Sequence, residues 1–295
     1  MKRPFQIEQV DPTSLPGAAH AAKPGAWAEG SATRTARPPV VTELAAWRAL
    51  RMSAEWTGRS VGFVPTMGAL HAGHEALLAR ASAENERVVL SIFVNPTQFN
   101  DPADLAKYPR TLEADVELAR RYADAVLVPG EAELYPDGYR YRASEHELSR
   151  ALEGAHRPGH FDGVLTVVLK LFQLVQPTRA YFGEKDWQQL QLIRGLVDAF
   201  FLPLEIVPCA TVRESDGLAL SSRNRRLSAA ARAKAAAFPR ALHDARDASE
   251  AAARLRGEGF EVDYVEDVEG RRLGAVRIEG VRLIDNCRLA PGSGV

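Results

Sequence analysis

The stretch that most constrains this chain runs from Ser60 to Ala81, where a strand pattern changes to a helix pattern across one short glycine-containing loop. Its first part, Ser60 to Val64, is an apolar run of β-prone residues that stops at Pro65. Its last part, Glu75 to Ala81, has the apolar spacing of an amphipathic helix. This order predicts a strand, a tight loop and the start of a helix.

The loop, Pro65 to His74, carries residues that suit phosphate chemistry. Gly68 and Gly73 lack a Cβ, so a bulky anion could approach the backbone, and the free N–H groups and dipole of a helix start favour negative charge. His71 and His74 lie three residues apart, so their rings should project to one side and converge on one phosphate. The simpler alternative is a chance glycine loop with a capping histidine. The pairing of two histidines favours phosphate chemistry.

Composition excludes several other classes of protein. The 295 residues are 46% hydrophobic, enough for a large domain and a small one, and a net charge of −1 gives no overall field for nucleic acid or a membrane surface. Cys209 and Cys287 are far apart and have no metal-ligand residues nearby, which indicates neither a disulfide framework nor a zinc site. The sequence shows no export signal and no membrane-spanning apolar run. We expect a cytoplasmic globular protein.

Strand and helix patterns alternate along the chain, which is typical of an α/β fold with a Rossmann-like, doubly wound parallel sheet. Further strands are expected at Arg87 to Val94, Asp124 to Pro129, Thr178 to Phe182 and Leu204 to Pro208. Helices are expected at Val41 to Ala54 with Thr42 as N-cap, before Tyr122, at Phe161 to Val175 and at Trp187 to Phe201.

The chain is expected to have three parts. Residues 1–38 are rich in Pro, Ala, Gly, Ser and Thr and are predicted to form a flexible extension. Residues 39–210 should form the Rossmann-like domain. Residues 211–295 should form a smaller α+β lid domain, with an Ala-rich helix and a strand pair at 260–268 and 275–289.

Polar side chains follow two of the predicted strands, at the edge where ligands of open α/β sheets bind. Asn95 and Gln98 can each donate and accept hydrogen bonds, which suits the carboxylate and hydroxyl groups of a hydroxy acid. Lys185 brings a mobile positive charge to a helix start, and Gln189 lies one turn further along. Each segment alone is also common turn or surface composition.

A third polar segment lies in the smaller predicted domain. Ser221, Ser222 and Arg223 offer two hydroxyl donors and a forked guanidinium in succession, which suits a clamp for phosphate oxygens. The Gly/Pro-rich loop around His160 could reach a substrate anion or simply expose charge.

These motifs together resemble those of the pantothenate synthetase family, and the resemblance covers roughly residues 39 to 289. The histidine loop is also similar to the nucleotide-binding signature of the nucleotidyltransferase and class I aminoacyl-tRNA synthetase superfamily. The matching strings are P-T-M-G-A-L-H-x-G-H, F-V-N-P-T-Q-F, Y-P-R-T, R-P-G-H-F, G-E-K-D-x-Q-Q, A-L-S-S-R-N and R-L-I-D-N.

The resemblance implies an ATP-dependent ligase that joins pantoate to β-alanine through a pantoyl adenylate, uses magnesium and is a homodimer. It implies catalytic roles for His71, His74, Lys185 and Arg223. It implies that Asp115 is linked to magnesium through the ATP phosphates. The residues implied to contact the acid are Gln98, Gln189, Asn95 and His160. The residues implied to bind ATP are Pro65, Thr66, Met67, Gly68, His71, Gly73, His74, Gly183, Lys185, Asp186, Val212, Leu220, Ser221, Ser222 and Arg223.

Two alternatives stay open at this point. A nucleotidyltransferase would transfer a nucleotide to a phosphorylated acceptor and would have no use for the paired glutamines Gln98 and Gln189. A non-catalytic nucleotide sensor would bind ATP without turnover, which leaves the paired histidines and the Ser-Ser-Arg segment unexplained.

We predict that deletion of residues 1–38 leaves the melting temperature and the activity nearly unchanged, because the segment has no apolar period with which to join the core. The measurement is thermal unfolding and steady-state turnover of the truncated and full-length chains. A large loss of either quantity would show that the segment docks on the folded part.

Overall fold

A computed structural model describes residues 37–290 of the chain. Its strands are β1 (Val40–Val41), β2 (Val61–Thr66), β3 (Arg87–Ile92), β4 (Ala125–Leu127), β5 (Arg179–Gly183), β6 (Glu205–Cys209), β7 (Glu261–Val268), β8 (Arg271–Ile278) and β9 (Val281–Arg288). Its α-helices are α1 (Leu44–Arg51), α2 (Ala72–Glu84), α3 (Pro102–Ala106), α4 (Leu112–Ala119), α5 (Glu131–Leu134), α6 (Glu153–His156), α7 (His160–Val175), α8 (Trp187–Ala199), α9 (Ala229–Ala235), α10 (Ala237–Asp244) and α11 (Ala248–Gly257). Short 3₁₀ helices lie at Pro96–Gln98, Leu148–Arg150, Glu184–Asp186 and Ser222–Arg226.

The large sheet has six strands in the order β1-β4-β3-β2-β5-β6, and all its paired strands are parallel. The central strand β2 pairs with β3 on one side and with β5 on the other. The chain therefore builds the sheet outward in two directions, and the loops after β2 and β5 separate at the carboxyl edge where ligands bind. The predicted α/β, doubly wound sheet is confirmed.

The central strands are buried on both faces, so alternate residues serve two different cores. Phe63 and Val89 pack on the side covered by α7 and α8, whereas Val64 and Leu90 pack on the side covered by α2 and α4. Helix α7 has eleven buried residues along its length, including Val168. These two layers hold the carboxyl ends of β2, β3 and β5 in a fixed arrangement.

The second sheet is antiparallel, in the order β7-β8-β9, and packs on helices α10 and α11. Phe238 and Leu242 from α10 and Leu255 from α11 form its core with Leu283 of the sheet. Gly274 on β8 allows this contact, because a Cβ there would lie 3.0 Å from Leu242 and 3.1 Å from Phe238.

The start of the described chain differs from the prediction of one helix from Val41 to Ala54. Val40 and Val41 form β1, which pairs in parallel with β4, and the N–H of Val126 donates to the carbonyl of Pro39. The helix N-cap is Glu43, not Thr42, and no side chain caps it. Pairing with the sheet edge overrides the local helical pattern.

The predicted strand pair near the C-terminus was also wrong, because three strands are present. The two hairpin turns are formed by Glu269 with Gly270 and by Glu279 with Gly280, and all four residues have positive φ. Positive φ at both central residues is the geometry of a two-residue hairpin turn that matches the strand twist. A Glu-Gly pair occurs at both turns, and its repetition in the sequence was an unused signal for two hairpins.

The described residues belong to one compact unit, and the boundary near residue 210 stays a prediction. The proposed flexible extension falls almost wholly on residues 1–36, outside the described part of the chain. Within residues 37–290, no helix is both long enough and apolar enough to span a membrane.

We predict that Phe238→Ala lowers the free energy of unfolding by about 3–5 kcal/mol, because it leaves a cavity in the core of the small sheet. Phe200, which is 55% exposed, is the matched control, and Phe200→Ala should change stability by less than about 0.5 kcal/mol. Urea unfolding followed by circular dichroism measures both. Equal losses for the two variants would contradict the packing described above.

Candidate active site

A buried carboxylate holds the loop between β2 and α2. Gly68 and Ala69 have positive φ values of 79° and 51°. Asp115 on α4 accepts hydrogen bonds from the N–H of Ala69 at 3.0 Å and of Leu70 at 2.8 Å, and the Thr111 hydroxyl donates to it at 3.1 Å. A Cβ on Gly68 would lie 3.0 Å from this carboxylate. Position 68 therefore favours glycine, because φ is positive there and because a Cβ would crowd the carboxylate of Asp115.

These contacts correct two predictions. The N–H groups expected to face a phosphate around Gly68 have partners in the protein: that of Gly68 donates to the Thr66 hydroxyl, and those of Ala69 and Leu70 donate to Asp115. The carboxylate of Asp115 is 2% exposed and both its oxygens are engaged, so it is placed as an anchor for the loop and not as a magnesium ligand. Within residues 37–290, no group of three or more His, Cys, Asp or Glu side chains is arranged to hold a metal ion.

The two histidines converge as their spacing predicted. Their ring centroids are 4.1 Å apart, at an angle of 36°. His71 is also the N-cap of α2, with its Nδ1 accepting a hydrogen bond from the N–H of Gly73 at 3.1 Å. A Cβ on Gly73 would lie 2.8 Å from the His71 ring, so this glycine lets the ring fold over the helix start. His71 therefore caps α2, as the simpler alternative expected, and its role in phosphate chemistry stays a prediction.

Both imidazoles are neutral near pH 7. Burial and the positive charge of Lys185 lower the pKa of His71 to about 4. Burial, His71 and Lys185 lower the pKa of His74 to about 3. Since Nδ1 of His71 accepts a hydrogen bond, its proton lies on Nε2, which can donate. The Nδ1 atom of His74 is buried and has no hydrogen-bond partner among the described residues.

One cavity, the His71 cavity, has a volume of about 190 Å³ and opens between α2 and the Ser-Ser-Arg segment. Lys185, Ser221 and Arg223 give it a positive, hydroxyl-bearing wall, which suits phosphate oxygens. Its lining residues are Met67, His71, Gly73, His74, Leu77, Tyr108, Gly183, Lys185, Asp186, Ala210, Thr211, Val212, Leu220, Ser221, Ser222 and Arg223. Most of the residues predicted to bind ATP thus lie together.

Pro65, Thr66 and Gly68 are the exceptions among the predicted ATP-binding residues. Pro65 and Thr66 line the second cavity, and Gly68 lines neither of the two. The Thr66 hydroxyl donates to the carbonyl of Ser91 at 2.8 Å and accepts from the N–H of Gly68 at 3.1 Å. Thr66 therefore ties the loop to β3 instead of pointing at a nucleotide.

The second cavity, the Gln98 cavity, has a volume of about 200 Å³ and lies on the other side of His74. Its floor is apolar and comes largely from α7, and its polar side chains come mainly from the segments that follow β2, β3 and β5. Its lining residues are Pro65, Thr66, Met67, His74, Phe93, Asn95, Gln98, Tyr108, Val164, Val167, Val168, Leu171, Phe182, Asp186 and Gln189. An apolar floor with the amides of Gln98 and Gln189 suits a small branched hydroxy acid.

Asn95 supports this cavity and has no group left for a ligand. It is 1% exposed, and its Nδ2 donates to Oε1 of Gln98 at 3.0 Å and to the carbonyl of Gly163 at 3.2 Å. Its Oδ1 accepts from the hydroxyls of Thr97 and Tyr135. The predicted acid contact of Asn95 is thus indirect: it orients Gln98, whose Nε2 meets only the weakly accepting sulfur of Met67 at 3.1 Å.

His160 is also a support. Its Nε2 lies 3.1 Å from Nη1 of Arg157, which can only donate, so its proton lies on Nδ1 and is donated to the carbonyl of Gln98 at 2.8 Å. Burial and the charge of Arg157 lower the pKa of His160 to about 4. His160 does not line the Gln98 cavity; it holds Gln98 in place and lines a third cavity together with Lys185, Gln189 and Arg223, and its predicted contact with the acid stays a prediction.

The two neighbouring glutamines at the start of α8 have different environments. Gln188 is 5% exposed and bonds to the carbonyls of Leu148 and Ala151 and to the N–H of Glu153. Gln189 lines the Gln98 cavity, as the sequence predicted.

Four side chains line both cavities and form their common wall: Met67, His74, Tyr108 and Asp186. Tyr108 was not among the predicted site residues, although it begins the Y-P-R-T string. Burial raises the pKa of Tyr108, so its hydroxyl stays protonated. A reacting pair placed in the two cavities would meet at this wall, next to His74.

A family model for pantoate–β-alanine ligase matches residues 39–288. The chain belongs to the pantoate–β-alanine ligase family. The predicted start of the resemblance, near Pro39, and its end, near residue 289, are confirmed.

Relatives in this ligase family cover nearly all of the described chain. The pantothenate synthetase of Bdellovibrio bacteriovorus is 56% identical over 258 residues, which is 87% of this chain and 100% of the relative. That of Cereibacter sphaeroides (strain ATCC 17029) is 51% identical over 275 residues, 84% of this chain and 99% of the relative.

Solved structures of the ligase family share the fold. Pantothenate synthetase from Thermus thermophilus matches with a TM-score of 0.79 and 43% identity, covering 86% of this chain and 100% of its own. Pantoate–β-alanine ligase from Francisella tularensis, complexed with β-γ ATP and β-alanine, matches with a TM-score of 0.81 and 40% identity, covering 87% and 100%.

We predict that His71 and His74 of this ligase-family chain do not titrate between about pH 6 and pH 8 without ligands, because burial favours the neutral ring. An unfolded imidazole has a pKa of about 6.5, so below that pH the unfolded chain binds more protons. The free energy of unfolding should therefore fall as the pH drops from about 6.5 through the two lowered pKa values.

NMR titration of the ring C–H signals tests this, with His71→Asn and His74→Asn variants used for assignment. Midpoints near pH 6.5 for either ring would contradict the description of the site.

Proposed function

We propose that the His71 cavity binds ATP, that the Gln98 cavity binds pantoate, and that the chain makes pantothenate from pantoate and β-alanine. Family membership supports the overall reaction. The observation that supports this assignment is the common wall of the two cavities. The cavity that suits phosphate and the cavity that suits an acid lie on either side of His74.

In the first step, a pantoate carboxylate oxygen attacks the α-phosphorus of ATP. A P–O bond to the α-phosphorus forms, the bond to the bridging oxygen breaks, and pyrophosphate leaves. The neutral His71 and His74 would donate hydrogen bonds to the α-phosphate as its charge is redistributed. Lys185, Ser221 and Arg223 would neutralise the departing pyrophosphate.

Gln98 and Gln189 would orient pantoate for this attack. The Nε2 of Gln98 is free of strong acceptors, and its Oε1 and main-chain carbonyl are held by Asn95 and His160. A held amide presents its donor in one direction, so the carboxylate would be bound close to the α-phosphate.

In the second step, the neutral amine of β-alanine attacks the acyl carbon of pantoyl adenylate. A C–N bond forms, the C–O bond to AMP breaks, and the proton lost by the amine passes to the departing AMP phosphate or to water. The low pKa of His74 keeps its ring neutral near pH 7, so the ring can go on donating a hydrogen bond to the phosphate of the adenylate as AMP leaves.

We propose that magnesium enters bound to the ATP substrate, where it would offset phosphate charge, because Asp115 is fully engaged with the loop. A homodimer is proposed from the family resemblance alone. A cytoplasmic location is proposed because Cys209 and Cys287 are free thiols, which suits a reducing compartment.

The experiment that tests the proposal is exchange of labelled pyrophosphate into ATP. With ATP, magnesium and pantoate but no amine, the enzyme should form a bound acyl adenylate reversibly, so exchange should require pantoate. Addition of β-alanine should drain the intermediate to pantothenate and AMP. Exchange that ignores pantoate, or transfer of a nucleotide to a phosphorylated acceptor, would favour a nucleotidyltransferase.

Gln98→Ala should raise the pantoate concentration needed for exchange by about 10-fold or more and leave ATP binding nearly unchanged, because the amide contacts the acid. Gln173 on α7 is exposed and serves as the matched control, so Gln173→Ala should behave as the original chain does. A variant Gln98→Ala with an unchanged pantoate requirement would remove Gln98 from the acid site.

A further inference from the structure

One face of β9 is turned toward the segment that carries Lys185. Asn286 on this strand is 4% exposed, and its Nδ2 donates to two successive main-chain carbonyls, of Glu184 at 2.9 Å and of Lys185 at 3.0 Å. These carbonyls belong to the short 3₁₀ helix that follows β5. A single amide of the small sheet thus bonds to the backbone of a residue that lines the His71 cavity.

The orientation of the Asn286 amide is set by Arg271 on the neighbouring strand β8. Nη1 of Arg271 donates to Oδ1 of Asn286, so the amide oxygen is occupied and the amide nitrogen must face the carbonyls. Nη2 of Arg271 donates to the carboxylate of Glu184 at 2.8 Å, and the guanidinium lies 4.0 Å from the ring centroid of Trp187. Arg271 therefore holds Asn286 and the segment around Lys185 at once.

The backbone of Asn286 is fixed as well. Asp285 accepts two hydrogen bonds from Arg213, at 2.7 and 2.9 Å, and one from the N–H of Asn286 at 2.7 Å. The carbonyl of Asn286 accepts a further bond from Arg213 at 3.2 Å. The backbone that carries the Asn286 amide is thus held rigidly. A residue that positions another side chain needs such a rigid support.

We propose that Asn286 is a positioning residue for Lys185, acting through the carbonyls of Glu184 and Lys185 to hold the ammonium group where it meets the departing pyrophosphate. The proposal rests on the function of Lys185 proposed above. The lysine stem is long and flexible, so its useful placement depends on a backbone held in one conformation. Loss of the amide should therefore reduce the first chemical step more than it reduces ATP or pantoate binding.

A purely structural role would have a different signature. If Asn286 only joins the small sheet to the large one, its loss would lower stability, and its effect on the reaction would be independent of Lys185. If it positions Lys185, the effects of changing the two residues cannot be additive, because a misplaced ammonium and an absent ammonium have the same consequence.

A double-mutant cycle distinguishes these roles, measured as the rate of pantoate-dependent pyrophosphate exchange at saturating ATP and pantoate. We expect Asn286→Ala to lower the rate about 10-fold or more in the original chain and less than about 3-fold in the Lys185→Ala background. Asn286→Asp keeps the shape but loses both donors, so it should lower the rate to a similar extent. It carries the test if Asn286→Ala does not fold.

Val281→Ala is the matched control on the same strand, because Val281 is 5% exposed in the small-sheet core and lines none of the cavities that Lys185 lines. It should lower the melting temperature, and its effect on the rate should be the same with and without Lys185. Equal effects of an Asn286 substitution in both backgrounds, or an unchanged rate in Asn286→Asp, would overturn the proposal. An unchanged rate in Lys185→Ala alone would instead refute the role of Lys185 in the proposed function.

Discussion

The interaction on which the site depends is the contact between Asp115 and the backbone of the loop after β2. A carboxylate that is 2% exposed would be costly without partners, and here two N–H groups and the Thr111 hydroxyl satisfy it. In turn, the carboxylate stabilises a loop in which Ala69 has a positive φ. Since this loop leads directly into His71 and His74, the position of both rings follows from a contact made from α4.

Much of this site could be predicted from sequence because parallel strands end at one edge of the sheet. The residues after β2, β3 and β5 were expected to meet there, and His74, Gln98 and Gln189 do line one cavity. What sequence could not show is which polar side chains are occupied by the protein itself. Asn95 and His160 looked like ligand contacts, but their partners come from other elements, and His160 bonds to a carbonyl 62 residues away in the chain.

Errors in the fold have a similar origin. The helical spacing after Val41 was real, but pairing with β4 took Val41, the first residue of the predicted helix, into the sheet. In the C-terminal part, two strands were expected and three are present, and the turn between the first two, at Glu269 and Gly270, depends on positive φ. Local patterns therefore located the elements, and contacts between distant segments determined their ends and the conformation of their loops.

The common wall of the two cavities limits how such an enzyme could evolve toward other substrates. A change at Met67 or Tyr108 alters both cavities at once, so, under the proposed assignment of sites, selection for a new acid at these positions would also disturb the binding of ATP. The floor residues Val164, Val168 and Leu171 line only the Gln98 cavity. Relatives with a different acid preference should therefore differ along one face of α7, where side chains can change in size without altering the His71 cavity.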